Sequence, residues 1–283
     1  MSEKTSMLEK IERIDRRVIY VVLIIAVIAV LLNPIGLPVP VTSPTIKYRD
    51  AISSLPPGSL VYIAVEFEAA SLPENGPQLE VTMRLLIKHN MKFVLASLRS
   101  GGPAVAQIYL DKLKGVIDSS GKRYGEDFVL MPYLVGGETA AAALAKDFKS
   151  TAKTDLYGKT VGDIPILRNV KDAKDFSLAV CITSGTPGVE EYLRQWVSPY
   201  NVPMIVGALG VAAPTYMPYF SSGQIKGMLG GLRGAAELEI LAGAPSAAVS
   251  SMDALSAGHL VTIIFILLGN VVFFLRKREG KVK

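Results

Sequence analysis

Two long apolar runs lie near the two ends of this 283-residue chain, at residues 18–37 and 254–275. They restrict it to architectures that either cross a bilayer twice or hide two hydrophobic rods. A bilayer core of ~30 Å takes ~20 mostly apolar residues in a helix. The first run, VIYVVLIIAVIAVLL, has no charged residue, and the second contains one amide, Asn270, with His259 at its rim. Arg13, Arg16 and Arg17 precede the first run, and Arg276, Lys277, Arg278, Lys281 and Lys283 follow the second. Positive charge flanking both outer ends predicts cytoplasmic termini, with everything between displayed across the membrane. A cleaved signal peptide is the alternative for the first run. Against it stand a long apolar stretch, a preceding segment of mixed charge, and no small-x-small cleavage site. The Arg16-Arg17 pair matches a twin-arginine signal poorly beside so hydrophobic a run.

The net charge of +5 raises the question of nucleic acid, and its location answers it. Residues 1–17 hold five basic and four acidic residues, and residues 276–283 hold five and one. Removing those ten and five from totals of 30 and 25 leaves 20 of each sign in the middle. The displayed region is neutral, so the excess is orientation charge beside an anionic leaflet and no nucleic-acid partner is expected. The single cysteine, Cys181, allows no intramolecular disulfide, so the fold must stand on its core.

This pattern divides the chain into a cytoplasmic tail (1–17), a membrane helix (18–37), a Pro-rich linker with a short helix (38–58), an α/β domain (59–242), a linker (243–253), a second membrane helix (254–275) and a basic tail (276–283). Met7, Leu8, Ile11, Ile14 and Val18 recur at helical spacing, predicting an amphipathic extension of the first helix. Ser43-Pro44 reads as an N-cap followed by a first-turn proline. Strands are predicted at 60–67, 92–98, 128–135, 176–183 and 203–209. Helices are predicted at 77–89, 104–117, 139–151, 189–197 and, long and glycine-rich, 218–241. Residues 155–175 read as a long excursion between the third of these helices and the fourth strand. Near-continuous apolar strands alternating with helices mean a mostly parallel five-stranded sheet covered on both faces: a doubly wound, three-layer α/β sandwich of Rossmann-like or flavodoxin-like type. The strand order, 3-2-1-4-5 or 2-1-3-4-5, is left open.

In such a sheet, ligands bind beyond the carboxyl ends of the strands. Those ends carry Glu66 and Glu68, then Ser100-Gly101-Gly102, then Gly136-Gly137-Glu138, then Ser184-Gly185-Thr186-Pro187-Gly188. Glycine turns ahead of helix N-termini can present N–H groups to an anion, although none here is a dinucleotide or Walker sequence. Glu66 and Glu68, two apart on a strand, are expected on one face. They are candidates for acid–base work, against the plainer reading of a solvated strand end. Two histidines and one cysteine leave little material for zinc or a Ser-His-Asp triad, and neither metal nor cofactor is expected. Cys181, inside the apolar FSLAVCIT, is expected to be a core residue.

Residues 221–239, SSGQIKGMLGGLRGAAELE, contain Gly223, Gly227, Gly230, Gly231 and Gly234. Read as a helix, five glycines cost ~5 kcal/mol relative to alanine, which close packing on the sheet or on a neighbouring subunit would offset. Lys226, Arg233, Glu237 and Glu239 are then expected on the remaining surface. This segment, preceded by Ala213-Pro214 and Tyr216-Met217-Pro218-Tyr219, resembles a family of uncharacterised prokaryotic membrane-anchored extracytoplasmic α/β proteins. Residues 124–129, 136–138, 155–158 and 187–196 carry the same resemblance, which covers most of 45–242. Leu238 departs from it, standing where the family usually has Tyr. The resemblance implies a tethered extracytoplasmic domain and no activity.

The leading expectation is a non-catalytic binding or assembly subunit whose partners are the lipid bilayer and other membrane subunits or a second copy. The alternatives are an enzyme acting on a phosphorylated, nucleotide-like or acyl compound, with Glu66, Glu68 and Glu138 as acids, and a ligand sensor signalling through its anchors.

Overall fold

The computed structural model describes residues 15–278. The expected amphipathic positions Met7, Leu8, Ile11 and Ile14, and the basic Lys281 and Lys283, lie outside the described residues. The chain forms two units, one comprising residues up to Pro38 with those from Val249 onward, the other Val39–Ala248.

In the first unit, helix α1 (Arg16–Leu32) is 17 residues long, about 26 Å at the α-helical rise. It stops short of the expected residue 37 because Pro34 drives Asn33 out of the helical region, to φ −134° and ψ 82°. The C-terminal helix, α12 (Ala247–Arg278), spans 32 residues and is the one described helix long and apolar enough to cross a membrane. The expected linker through residue 253 is therefore partly helical. The carboxylate of Asp253, 1% exposed, accepts the N–H groups of Gly36 (2.7 Å) and Leu37 (3.0 Å). A Cβ added at Gly258 would lie 3.6 Å from Val27. These contacts set α1 and α12 side by side and antiparallel, with Arg16 and Arg17 at the same end as Arg276–Arg278.

In the second unit, α2 (Ser43–Ser53) leads into β1 (Leu60–Glu66), α3 (Leu72–Lys88), β2 (Lys92–Ser97), α4 (Gly102–Lys112) and α5 (Lys114–Ser119). Then come β3 (Phe128–Tyr133), α6 (Glu138–Lys146), α7 (Phe148–Thr151) and β4 (Leu178–Thr183). The rest is α8 (Val189–Tyr192), a π turn (Leu193–Val197), α9 (Ser198–Tyr200), β5 (Met204–Ala208), α10 (Ala213–Ser221), β6 (Gly227–Gly230) and α11 (Gly231–Leu241). All strand pairings are parallel, in the order β3-β2-β1-β4-β5-β6. This is a Rossmann-like α/β fold with six strands rather than five.

The sixth strand replaces the expected helix 218–241, and the glycines explain why. Lys226 N–H donates to Met204 O (2.8 Å), carrying the chain into the ladder beside β5. At Gly227 any Cβ would overlap the backbone of Tyr48, so α2 lies directly against β6. At Gly231, φ is +59°, a left-handed turn between strand and helix that favours glycine. At Gly234 a Cβ would come within 2.8 Å of Leu229 Cα, and at Gly230 within 3.1 Å of Ala213 Cβ; Gly223 ends α10 at φ +78°. The glycines thus pack elements of one domain against each other.

Two surface assignments in this segment also reverse. Glu237 is 1% exposed, and its Oε2 accepts Thr42 N–H (2.9 Å), Thr42 Oγ1 (2.7 Å) and Thr45 Oγ1 (2.7 Å). It supplies the cap that Thr42, the N-cap of α2 in place of Ser43, does not make itself. Glu239, 4% exposed, accepts the N–H groups of Ser246 and Ala248 at the start of α12. Carboxylates at helix N-termini satisfy orphan donors and favour the dipole, which compensates their burial.

One face of the sheet packs on α2, α3, α4 and α11. The other holds an aromatic cluster in which Tyr62 stacks on Trp196 (4.3 Å between centroids) beside Phe176 and Tyr192. The excursion 155–175 is tied down by short 3₁₀ turns with Val161, Ile164, Leu167, Val170 and Ala173 in the core. Its Leu156 N–H donates to Leu130 O (2.9 Å) and so covers the edge of β3.

Candidate functional site

The chain reverses its winding between β1 and β4, where Glu66 pairs with Thr183 at the carboxyl ends. Open α/β sheets bind ligands at such a crevice. Here it is occupied by the protein's own polar groups. Glu66 closes β1 and is 0% exposed, not a solvated strand end. Both its oxygens lie 3.1 Å from Leu98 N, and Oε1 accepts the Tyr192 hydroxyl at 2.9 Å. Tyr62 and Tyr192 hydroxyls are 3.2 Å apart, which extends the chain inward. Burial pushes the Glu66 carboxyl up to about 7, against the opposing pull of Leu98 N–H, Tyr192 and the Arg99 charge. Burial likewise raises the Tyr192 hydroxyl and the Cys181 thiol, and Cys181 lies in the core, 1% exposed.

Glu68 does not share this environment. The strand has ended, and Glu68 Oε1 instead approaches Gly101 N (3.4 Å) and Ser100 Oγ (3.5 Å). Gly102 opens α4 where a Cβ would overlap Ser97 Oγ and the Val65 carbonyl. Its own N–H donates to Arg99 O (3.1 Å). In the turn after β4, Gly185 N–H donates to Thr183 Oγ1 (3.0 Å) and Gly188 N–H to Glu191 Oε2 (2.8 Å). Ser184 N–H donates to Glu66 O (3.1 Å), and the Arg99 guanidinium donates to the Thr186 carbonyl (3.1 Å). The N–H groups that could have cradled an anion at Gly101, Gly102, Ser184, Gly185 and Gly188 therefore have acceptors within the domain.

The third turn differs. Gly136 and Gly137 have φ of +128° and +52°, and they place Glu138 at the start of α6. Glu138 accepts Arg194 Nε (2.8 Å) and Nη2 (2.9 Å) as a fork, with Gln195 Nε2 at 2.9 Å. The Arg194 hydrogen bonds hold its carboxyl down at about 2. It is a charged anchor between α6 and the π turn, well separated in role from Glu66.

Several residues at this edge carry no short-range signal. Tyr192 and Arg194 reach the strand ends only through tertiary packing. Asn75, Gln78 and Thr82, all 0% exposed, do have a signal: they recur at helical spacing along the buried side of α3. Asn75 Nδ2 donates to Thr183 O (3.3 Å), and Gln78 Nε2 to Ala208 O (2.9 Å) and Gly231 O (2.8 Å). Glu74 accepts Gly210 N–H at 2.7 Å. One helix thereby ties together the carboxyl ends of β4 and β5 and the start of α11. No group of three His, Cys, Asp or Glu that could hold a metal occurs among the described residues.

Fold and site together define a Rossmann-like domain in which Glu66, Glu138 and the amides of the turns after β2 and β4 are engaged in internal hydrogen bonds, accompanied by a membrane-length helix. Comparison with family models, with curated proteins and with solved structures gave no match to this chain.

Proposed function

We propose that the chain is a non-catalytic binding and assembly subunit of a membrane complex. The membrane-length helix α12, with the shorter α1 beside it, holds its α/β domain outside the cytoplasm. The observation that carries this reading is the internal engagement of Glu66 and Glu138, the acids at the edge where this fold places its chemistry. The anchoring draws support from the Asp253 clasp and from the basic residues gathered at one end of the antiparallel α1–α12 pair. The family resemblance of residues 222–239 points the same way. Purification of the full chain in mild detergent tests the assembly role: a co-eluting membrane partner, or a defined oligomer, is expected. A lone monomer counts against it. Labelling intact cells with an impermeant lysine reagent tests the topology, and protection of the domain lysines with reaction of the terminal ones would refute it.

A second reading, an enzyme acting on a phosphorylated, nucleotide-like or acyl compound, rests on Glu66 alone. A carboxyl near 7 beside a tyrosine hydroxyl at the winding reversal is suited to general acid–base work. Turnover of such a compound that disappears in Glu66→Gln would favour it over the binding role.

A further inference from the structure

We propose that the groove between α4–α5 and the 155–159 turn, beside edge strand β3, binds a free aromatic amino acid. The groove encloses about 320 Å³, at the lower end of the range for small-molecule sites. One wall is an aromatic ladder: Tyr124 meets Phe128 edge-on (5.5 Å, 90°) and Tyr157 edge-on (5.2 Å, 70°). Leu110 and Ile117 form the apolar part of the opposite wall.

The ladder is held in place at a cost. Asp155 is a carboxylate only 2% exposed, and it spends its oxygens on this wall rather than on the core. Oδ2 accepts the Tyr124 hydroxyl (2.9 Å), while Oδ1 accepts the N–H groups of Tyr157 (3.0 Å) and Lys159 (2.8 Å). Tyr157 is 63% exposed, yet its hydroxyl reaches across to Gln107 Oε1 on α4 (2.7 Å). A water-exposed ring fixed at both ends by hydrogen bonds is pre-organised for stacking, and nothing in core packing asks for it.

The charges of the groove select the rest of the ligand. Lys122 lines it with a side chain only 4% exposed. Its ammonium donates to Asn90 Oδ1 (3.1 Å) and is ion-paired with Asp127 Oδ1 at 3.7 Å. An ammonium has three donors, so with one directed to Asn90 and one toward Asp127 a third is left for an incoming carboxylate. Asp111 and Asp118 line the α4–α5 side with Lys114 between them, and two negative charges against one positive favour an ammonium there. An aromatic ring with a carboxylate at one end and an ammonium at the other matches the wall, Lys122 and the two aspartates together.

Equilibrium dialysis of the full-length protein in detergent tests this with four probes: phenylalanine, 3-phenylpropionate, phenethylamine and alanine. Phenylalanine is expected to bind at or below about millimolar, each single-charge analogue about tenfold more weakly, and alanine not measurably. Tyr157→Ala, a surface change, and Lys122→Met, checked by an unchanged melting temperature, should each weaken phenylalanine about tenfold or more. Absence of phenylalanine binding, equal binding of alanine, or affinity indifferent to Tyr157→Ala would overturn the assignment. The outcome is independent of whether the chain assembles with membrane partners.

Discussion

The hydroxyl of Tyr192, on α8, donates to the carboxylate of Glu66, at the end of β1, across 2.9 Å and 126 residues of chain. This bond seals the crevice at the reversal of the sheet and places a titratable group where water does not reach it.

Stability should therefore fall as pH rises through the neutral range. The Glu66 carboxyl sits near 7 in the folded chain against an ordinary 4.5. The folded state then holds a proton that the unfolded state releases between these values, and the cost of burying the charge is complete above about 7. The difference amounts to about 3 kcal/mol. Glu66→Gln, which keeps an acceptor for Leu98 N–H, should flatten this dependence and raise the melting temperature at pH 8. Thermal denaturation at pH 5 and pH 8 checks it, and a wild type equally stable at both would refute the burial argument.

Gly227 and Gly115 should respond oppositely to alanine. A Cβ at Gly227 overlaps the α2 backbone, so Gly227→Ala must part α2 from β6 and should cost about 1–3 kcal/mol. Gly115 lies within α5 with open space around it, so Gly115→Ala should stabilise by roughly 0.5–1 kcal/mol. Chemical denaturation of both variants reads the two signs.

Removing Arg194 should release Glu138. With the guanidinium gone, the Glu138 carboxyl should climb from about 2 toward its ordinary 4.5. A carboxyl-detected NMR titration of Arg194→Ala would show the rise, and an unmoved midpoint would mean the fork does not form in solution.

Asp253→Ala should unfasten the two N–H groups it holds. Hydrogen exchange at Gly36 and Leu37 should accelerate by about tenfold or more if each loses a bond to a charged acceptor. Exchange within α12 should be unchanged, which separates a local release from unfolding of the helix.

Much of the fold could be read along the chain. The first five strands lie within two residues of their expected bounds at either end, because continuous apolar runs such as those of β1 and β4 have only one environment available, a sheet covered on both faces. The sixth was not legible. Gly-Met-Leu-Gly is short, lacks β-branched residues and sits in a segment whose glycine spacing imitates a packed helix. At the candidate site, Glu66 could be placed at a strand end, but nothing local shows that Leu98 and Tyr192 enclose it. Glu237 and Glu239 mislead for a related reason, since charged residues bury only where distant helix ends need a cap.

What the residues determined by themselves were the periodic and compositional properties: apolar lengths, the alternation of strand and helix, the neutrality of the middle and the basic ends. These depend on near neighbours and on partition between water and oil. Only tertiary structure decided the strand order, the sixth strand, the burial of Glu66 and the fastening of Gly36 and Leu37 by Asp253. Each of those depends on groups far apart in the chain meeting in a dry interior, where one hydrogen bond or one missing methyl settles which packing holds.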